Sequence, residues 1–250
     1  MSDYKLSTDK NSPLGAGHIV ELIILAGGLG TRLRSVVSDL PKCMAPVNGK
    51  PFLSYVIDFF QEQGVTNFIF SIGYKHEAIE TYLNNQYSTT NIQYSIEEEP
   101  LGTGGAIKRA CSFVSAKNVL ITNGDTLFKA SVTALQNFHS AKNADCTLAL
   151  KPMKNFNRYG VIDLNEDASV KNFSEKKYYE QGFINGGLYM LNVQNFLEES
   201  LPDKFSFETD YLEKFYTKRK MYGLVQDGYF IDIGIPEDYI RANEELGIRN

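Results

Sequence analysis

The protein has 250 residues, of which 43% are hydrophobic, and a formal net charge of -5 with an isoelectric point near 5.3. This length supports one substantial α/β core, and an acidic chain without a long basic run argues against nucleic acid as a partner. No apolar stretch reaches the roughly 20 residues of a membrane helix and the N-terminus lacks a signal-peptide pattern, so we expect a cytoplasmic protein with no membrane partner. The three cysteines and three histidines are scattered without metal-ligand spacing, which predicts reduced thiols rather than a zinc site.

Apolar periodicity predicts strands that alternate with helices, after a polar segment at residues 1–19 that we expect to be a flexible extension or an expression remnant. Strands are expected at 22–26, 67–72, 92–96, 119–122 and 146–150, and helices at 52–63, 76–85, from Thr103, and at 131–140. Beyond Lys151 the pattern predicts strands at 159–163, 170–173, 182–192, 221–225 and 229–233, with helices at 193–200, 208–218 and from Pro236. Residues 20–250 are therefore expected to form one α/β domain with a mixed, mostly parallel sheet flanked by helices and a small antiparallel portion facing the substrate.

A glycine loop follows the first apolar strand. Gly27, Gly28 and Gly30 can bring backbone N–H groups close to a ligand, and Arg32 adds a planar cation suited to phosphate oxygens. A dinucleotide-binding fingerprint would need glycine where Leu33 stands, and the Gly-Lys-Ser/Thr of a Walker A loop is absent. The loop therefore predicts phosphate binding of another kind, with a plain tight turn as the alternative.

Two acids stand at the ends of apolar strands. Asp125 follows the run 119–122, and Asp232 lies within the run 230–235. Because Mg²⁺ takes one or two protein carboxylates together with phosphate oxygens, the pair predicts a magnesium site. A turn-capping role for Asp125 and an ion pair of Asp232 with a Lys or Arg remain alternatives.

Other loops carry weaker signals. The glycines of the acidic stretch 97–105 would let a base or sugar approach the backbone at the start of the next helix. The alternative is a flexible acidic loop with no ligand. Glu175 and Lys176 could bind sugar hydroxyls and a phosphate, although most such pairs are solvated surface. The stretch 185–187 completes the candidate set.

Together these motifs resemble the sugar-1-phosphate nucleotidylyltransferases, from about residue 20 to 246. The likeness is carried by the glycine loop and by the stretches 39–46, 99–107, 184–187 and 228–239. It implies a Rossmann-like, GT-A-like nucleotidyltransferase fold. Within the family these stretches most resemble guanylyltransferases that act on a heptose 1-phosphate.

The resemblance also implies roles for individual residues. It places a catalytic set at Arg32, Lys42, Asp125 and Asp232, with Mg²⁺ on the two aspartates. It places the nucleotide at Leu25, Ala26, Gly27, Gly28, Gly30, Thr31, Glu97, Gly102 and Thr103, and the sugar phosphate at Gly160, Glu175, Lys176 and Asn185. Glu97 replaces a glutamine that reads pyrimidines in similar enzymes, which disfavours dTTP and is compatible with GTP, while the choice among Glu97, Glu98 and Glu99 stays open.

The implied reaction converts GTP and D-glycero-α-D-manno-heptose 1-phosphate to GDP-heptose and pyrophosphate. Transfer to mannose 1-phosphate or another hexose 1-phosphate, with UTP or CTP as other donors, is the alternative, because small changes in a pocket can admit one extra hydroxymethyl group. A non-catalytic subunit that senses nucleotide sugars is a remote alternative, and the presence of Arg32, Lys42, Asp125 and Asp232 disfavours it. The sequence leaves the oligomeric state open, a homo-oligomer included.

Overall fold

The computed structural model of the protein describes residues 20–28 and 40–247. The extension expected at 1–19 lies outside the described residues, as do Gly30, Thr31 and Arg32 of the glycine loop. No helix of the described chain combines the length and apolar character of a membrane span. The single-domain organisation of 20–250 stays a prediction.

Strands and helices alternate through the first two thirds of the described chain. The strands are β1 (Glu21–Leu25), β2 (Pro46–Val47), β3 (Lys50–Pro51), β4 (Asn67–Ile72), β5 (Asn91–Ile96), β6 (Asn118–Asn123), β7 (Thr126–Phe128), β8 (Cys146–Phe156), β9 (Val161–Leu164), β10 (Val170–Ser174), β11 (Tyr179–Asn192), β12 (Met221–Val225) and β13 (Phe230–Asp232). The helices are α1 (Phe52–Glu62), α2 (His76–Gln86), α3 (Gly102–Ala110), α4 (Val132–Lys142), α5 (Val193–Leu197), α6 (Glu213–Phe215) and α7 (Pro236–Leu246), with a π-helical turn at Phe207–Leu212.

The main sheet of the described chain has the strand order β12-β8-β11-β6-β1-β4-β5. Neighbouring strands run parallel except at β11, which is antiparallel to both β6 and β8. The strands β9 and β10 form a separate antiparallel hairpin, and β7 pairs antiparallel with β13. The predicted mixed, mostly parallel α/β sheet is confirmed.

The central strand β1 is buried on both faces. Leu22 and Ile24 belong to the apolar cluster that includes side chains of α1, α2 and α4, whereas Ile23 belongs to the cluster on the other face, with α3 and α5. All three side chains are 0% exposed. This two-sided burial explains why the run lacks polar alternation, as a central parallel strand should.

Two predicted elements differ most from the structure, while α5 ends at Leu197 rather than at the predicted residue 200 and β11 begins at Tyr179 rather than at residue 182. Strand β8 extends to Phe156, beyond the predicted end at 150, because its outer half pairs with the outer half of β11. The helix predicted at 208–218 is replaced by the π-helical turn and the short α6, followed by a turn. Polar contacts fix this irregular start: the Ser206 hydroxyl accepts from Thr209 N, and Ser206 N donates to Asp210 Oδ2.

Candidate active site

A cavity of about 440 Å³ opens at the carboxyl ends of β1, β4 and β6, where ligands bind in open α/β sheets. Its lining joins segments that are distant in sequence: Leu25, Ala26, Gly27, Gly28, Lys42, Cys43, Ser71, Glu97, Pro100, Gly102, Thr103, Ala106, Asn123, Asp125 and Glu208. Every nucleotide-binding candidate within the described residues is in this set. Those residues therefore share one cavity with Lys42 and Asp125.

The glycine loop leaves β1 under close backbone restraint. Ala26 N donates to Ser71 O at 2.8 Å, and Gly124 N donates to Leu25 O at 2.9 Å. A Cβ at Gly27 would lie 3.0 Å from Glu97 Oε1, while a Cβ at Gly28 would meet no atom of the described residues within 4 Å. Gly27 thus lets the backbone pack closely against Glu97, and Gly28 lines the cavity.

Lys42 lies between the two acids predicted to bind metal. Its ammonium forms an ion pair with Asp125 Oδ2 and lies 3.6 Å from Asp232 Oδ1. Its side chain is 13% exposed, against 30% for Asp125 and 24% for Asp232, so the pairs are partly shielded from water. The structure therefore gives Asp232 the lysine partner that was the alternative for it, and directs Lys42 at the carboxylates.

The short strands β7 and β13 bring the two acids together. Asp232 pairs with Thr126, directly after Asp125, and Ile233 N donates to Asp125 O at 3.0 Å. Burial and the negative charge of Asp125 raise the pKa of Asp232, whereas Lys42 and a 2.7 Å hydrogen bond from Gly234 N act in the opposite direction. The antiparallel pair of β7 and β13 thus holds two carboxylates close enough to compete for one cation.

This donor set fits a divalent metal that is bound jointly with phosphate. Within residues 20–28 and 40–247, no cluster of three or more His, Cys, Asp or Glu could hold a metal by itself. Two carboxylates around one positive charge match the one or two that Mg²⁺ takes when phosphate oxygens and water complete its shell. Asp125 and Asp232 are the residues that would hold it.

The glycines at the start of α3 serve internal packing. Gly104 N donates to Phe205 O at 3.0 Å, so a protein carbonyl caps this helix end, which was expected to be open to a ligand. Gly102 has a φ of +72°, and a Cβ there would lie 2.5 Å from Phe205 O. Gly102 and Thr103 nonetheless line the cavity, and their nucleotide role stays a prediction.

Glu97 is the acid of the 97–99 run that lines the cavity, while Glu98 and Glu99 are exposed. Its Oε1 accepts from Ser71 Oγ and its Oε2 from Leu101 N, both at 3.0 Å. These contacts fix the orientation of the carboxylate and leave further lone pairs on each oxygen. Glu97 is thus the member of the run that lies at the cavity, and its contact with a base stays a prediction.

The four sugar-phosphate candidates lie outside the cavity lining. Gly160 packs against the Ser174 carbonyl, and Glu175 and Lys176 are exposed between β10 and β11. Asn185 Nδ2 donates to the buried Tyr189 hydroxyl at 2.8 Å. Their role in binding stays a prediction.

Sequence reasoning missed three polar or acidic contributors to the cavity. Ser71 could have been found, since it is a polar residue near the end of an apolar strand. Asn123 precedes Asp125 but was not assigned a role. Glu208 gave no usable signal, because it begins a stretch that resembles an ordinary amphipathic helix.

Comparison with known proteins gives a consistent result. A family model for nucleotidyl transferases matches residues 21–247. D-glycero-alpha-D-manno-heptose 1-phosphate guanylyltransferase of Aneurinibacillus thermoaerophilus is 55% identical over 227 residues, which cover 91% of this chain and 98% of that protein. The enzyme of the same name from Campylobacter jejuni is 44% identical, over 88% of this chain and 97% of that protein.

A solved structure has the same fold. The crystal structure of HddC from Yersinia pseudotuberculosis complexed with GMP-PN superposes with a TM-score of 0.82 at 38% identity, covering 91% of this chain and 100% of that one. The family match spans the cavity, the Lys42 ion pairs and the strands that carry both aspartates. The chain therefore belongs to the nucleotidyl transferase family.

Proposed function

We propose that this protein transfers GMP from GTP to D-glycero-α-D-manno-heptose 1-phosphate, releasing pyrophosphate and forming GDP-heptose. The observation that carries the proposal is the meeting of Lys42, Asp125 and Asp232 at a cavity that is also lined by Gly27, Gly28 and Glu97. The identity of 55% to a guanylyltransferase of this specificity supports the choice of both substrates.

The chemistry is an in-line displacement at phosphorus. An oxygen of the sugar 1-phosphate attacks the α-phosphorus of GTP, and a new P–O bond forms as the bond to the bridging oxygen of the leaving pyrophosphate breaks. The nucleophile is already an anion at neutral pH, so the reaction requires no general base. The task of the protein is to position two polyanions and to offset their charge.

The chain offers residues for each part of this task. In the proposal, the stretch 25–31 holds the nucleotide, with Arg32 and Lys42 on its phosphates and Glu97, Gly102 and Thr103 at the base and ribose. Gly160, Glu175, Lys176 and Asn185 hold the sugar phosphate. Mg²⁺ on Asp125 and Asp232 would supply charge neutralisation at phosphate oxygens.

Lys42 has two anionic partners in this scheme. It offsets the charges of Asp125 and Asp232, and a divalent cation held by these two aspartates would leave the Lys42 ammonium available to the triphosphate. The same lysine thus keeps the two acids compatible before the substrate arrives.

The proposal also sets the cellular setting. The substrates are small molecules, with no nucleic acid and no membrane partner, and the reaction is placed in the cytoplasm. The three cysteines are free and buried, which suits a reducing compartment.

The test is a pyrophosphate-release matrix. The four common ribonucleoside triphosphates and dTTP are each combined with heptose, mannose and glucose 1-phosphates, with Mg²⁺ present. GTP with the heptose 1-phosphate should give the highest kcat/KM, and Asp125→Ala should lose at least about a hundredfold while its circular dichroism is unchanged. Preference for another nucleotide or sugar corrects the specificity, and absence of release in every combination contradicts the proposed function.

A further inference from the structure

The carboxylate of Glu208 is an unexplained negative charge in the candidate active site. It lines the same cavity as Lys42 and Asp125, yet no ion pair to it is found within residues 20–28 and 40–247. The proposed substrates bring two polyanions into this space, and an unpaired carboxylate repels phosphate. A carboxylate at this position is compatible with bound phosphates only if it faces neutral or cationic groups.

Hydrogen bonds hold one oxygen of this carboxylate in a fixed position. Glu208 Oε2 accepts from Thr103 Oγ1 at 2.7 Å and from Ser206 Oγ at 3.1 Å. Thr103 Oγ1 itself accepts from Phe207 N at 2.9 Å, which closes a small network between α3 and the π-helical turn. No hydrogen bond or ion pair to Glu208 Oε1 is found in the described part of the chain, so among those residues this oxygen has no donor.

The backbone that carries Glu208 is equally constrained. The neighbouring Phe207 is 0% exposed and packs edge-on against Tyr189 and flat against Tyr211. The preceding Phe205 bonds through its carbonyl to the start of α3. A π-helical turn is uncommon and is frequently found at functional sites. The fold thus presents this side chain in one defined orientation.

The chemistry of the cavity limits what the free oxygen can accept. A carboxylate accepts from cations, from metals or from neutral donors such as hydroxyls. No cluster of metal-binding residues includes Glu208 among the described residues, and phosphate offers no donor at neutral pH. Hydroxyl groups and the N–H donors of the base remain. The base is assigned to Glu97, and both the ribose and the acceptor sugar carry hydroxyls.

The surroundings of Glu208 favour the acceptor sugar. The ring of Phe207, the residue before Glu208, packs edge-on against Tyr189, with the ring centroids 5.1 Å apart. The Tyr189 hydroxyl accepts from Asn185, which is a candidate for the sugar-phosphate site. Glu208 therefore lines the cavity while its neighbour Phe207 packs on β11, the strand that carries Asn185.

We propose that Glu208 accepts hydrogen bonds, through its free Oε1, from hydroxyl groups of the sugar in the sugar 1-phosphate and so helps to select that sugar. The assignment rests on the proposed function and names a residue that determines specificity in it. Glu208 makes no bond to the transferred phosphoryl group in this assignment, and its loss affects the binding of the sugar more than that of the nucleotide.

The test uses Glu208→Gln in the full chain, with Glu213→Gln as the matched control. Glu213 is exposed on α6, five residues further along the chain, and does not line the cavity. Loss of a charged acceptor should raise KM for the heptose 1-phosphate roughly tenfold to a hundredfold, with KM for GTP changed less than about threefold. The control should match the wild type.

A second measurement separates direct binding from a structural role through Thr103. The wild type should discriminate against a 1-phosphate that lacks the bonded hydroxyl, and Glu208→Gln should lose that discrimination in a series of monodeoxy sugar 1-phosphates. Thr103→Val removes one of the two hydrogen bonds on Oε2 but leaves the carboxylate and its bond from Ser206, so it should retain more of the discrimination than Glu208→Gln.

The outcomes are distinguishable. An active wild type with an unchanged KM for sugar in Glu208→Gln, or with the defect confined to the KM for GTP, overturns the Glu208 assignment and leaves the proposed function standing. Equal loss of discrimination in Thr103→Val and Glu208→Gln also overturns it. A wild type that releases no pyrophosphate with any sugar 1-phosphate overturns both.

Discussion

The ammonium group of Lys42 forms an ion pair with the carboxylate of Asp125, 83 residues further along the chain. Asp232 lies 3.6 Å from the same nitrogen. Lysine is a compact point charge, and here it occupies the position between two acids that a divalent cation would also favour. The positive charge of Lys42 explains how two carboxylates can lie close together at the β7–β13 strand pair.

Replacement of Lys42 should therefore make the stability of the protein depend on a divalent cation. We expect Lys42→Ala to lose about 1–3 kcal/mol of unfolding free energy without metal, a value between those of exposed and buried ion pairs. Added Mg²⁺ should restore more stability to this variant than to the wild type, where Lys42 must first be displaced. Urea unfolding with and without Mg²⁺ measures both effects.

The control for this experiment is Lys50→Ala. Lys50 Nζ lies 2.8 Å from Asp58 Oδ2, and both side chains are 42% exposed, so its loss should cost less than about 1 kcal/mol and should not respond to Mg²⁺. An equal Mg²⁺ response in wild type and Lys42→Ala would show that Lys42 and the metal do not compete.

Much of this site follows from sequence because its parts are strand ends. Asp125 follows an apolar run and Asp232 ends one. Acids at the carboxyl ends of buried strands predict a neighbouring cation, which can be a basic side chain or a metal ion. The cation that pairs with these acids, Lys42, was harder to predict, since nothing in its local sequence indicates that it contacts carboxylates far along the chain. Phe205 could not be predicted as the cap of α3 either, because the cap is a backbone carbonyl and any residue type supplies one.

Glu97 should read the base. Glu97→Gln keeps an acceptor for Leu101 N and a donor for the Ser71 hydroxyl, so the free energy of unfolding should change by less than about 1 kcal/mol. The variant loses the second acceptor needed for the ring N–H and amino group of guanine, and kcat/KM for GTP should fall about tenfold to a hundredfold. Steady-state kinetics with GTP and ATP measure this, with the exposed Glu98→Gln as control. Unchanged preference for GTP in Glu97→Gln would exclude Glu97 from base recognition.

The packing of Gly102 on Phe205 should be intolerant of a methyl group. Gly102→Ala adds a Cβ 2.5 Å from Phe205 O at a φ of +72°, so left-handed strain and displacement of the cap should together cost about 3 kcal/mol or more. Gly49→Ala is the matched control, since Gly49 has a φ of +84° but no atom of the described chain would lie within 4 Å of its Cβ, and it should cost only about 1–2 kcal/mol. Equal losses in urea unfolding would mean that the contact with Phe205 contributes nothing beyond backbone strain.

His139 should make the protein less stable in mild acid. Burial lowers the pKa of this histidine from 6.5 to about 4, and its Nε2 has no hydrogen-bond partner in the described part of the chain. At a pH between 6.5 and 4, His139 is protonated in the unfolded chain but neutral in the folded protein. The free energy of unfolding therefore falls as the pH falls from 6.5 towards 4. The full loss is about 3 kcal/mol.

Urea unfolding across this pH range measures how the free energy of unfolding of the wild type changes with pH, and this slope should be flatter in His139→Asn. The asparagine can still bond the Thr147 hydroxyl, which lies 2.9 Å from His139 Nδ1. A slope unchanged in His139→Asn would assign the acid sensitivity to other groups.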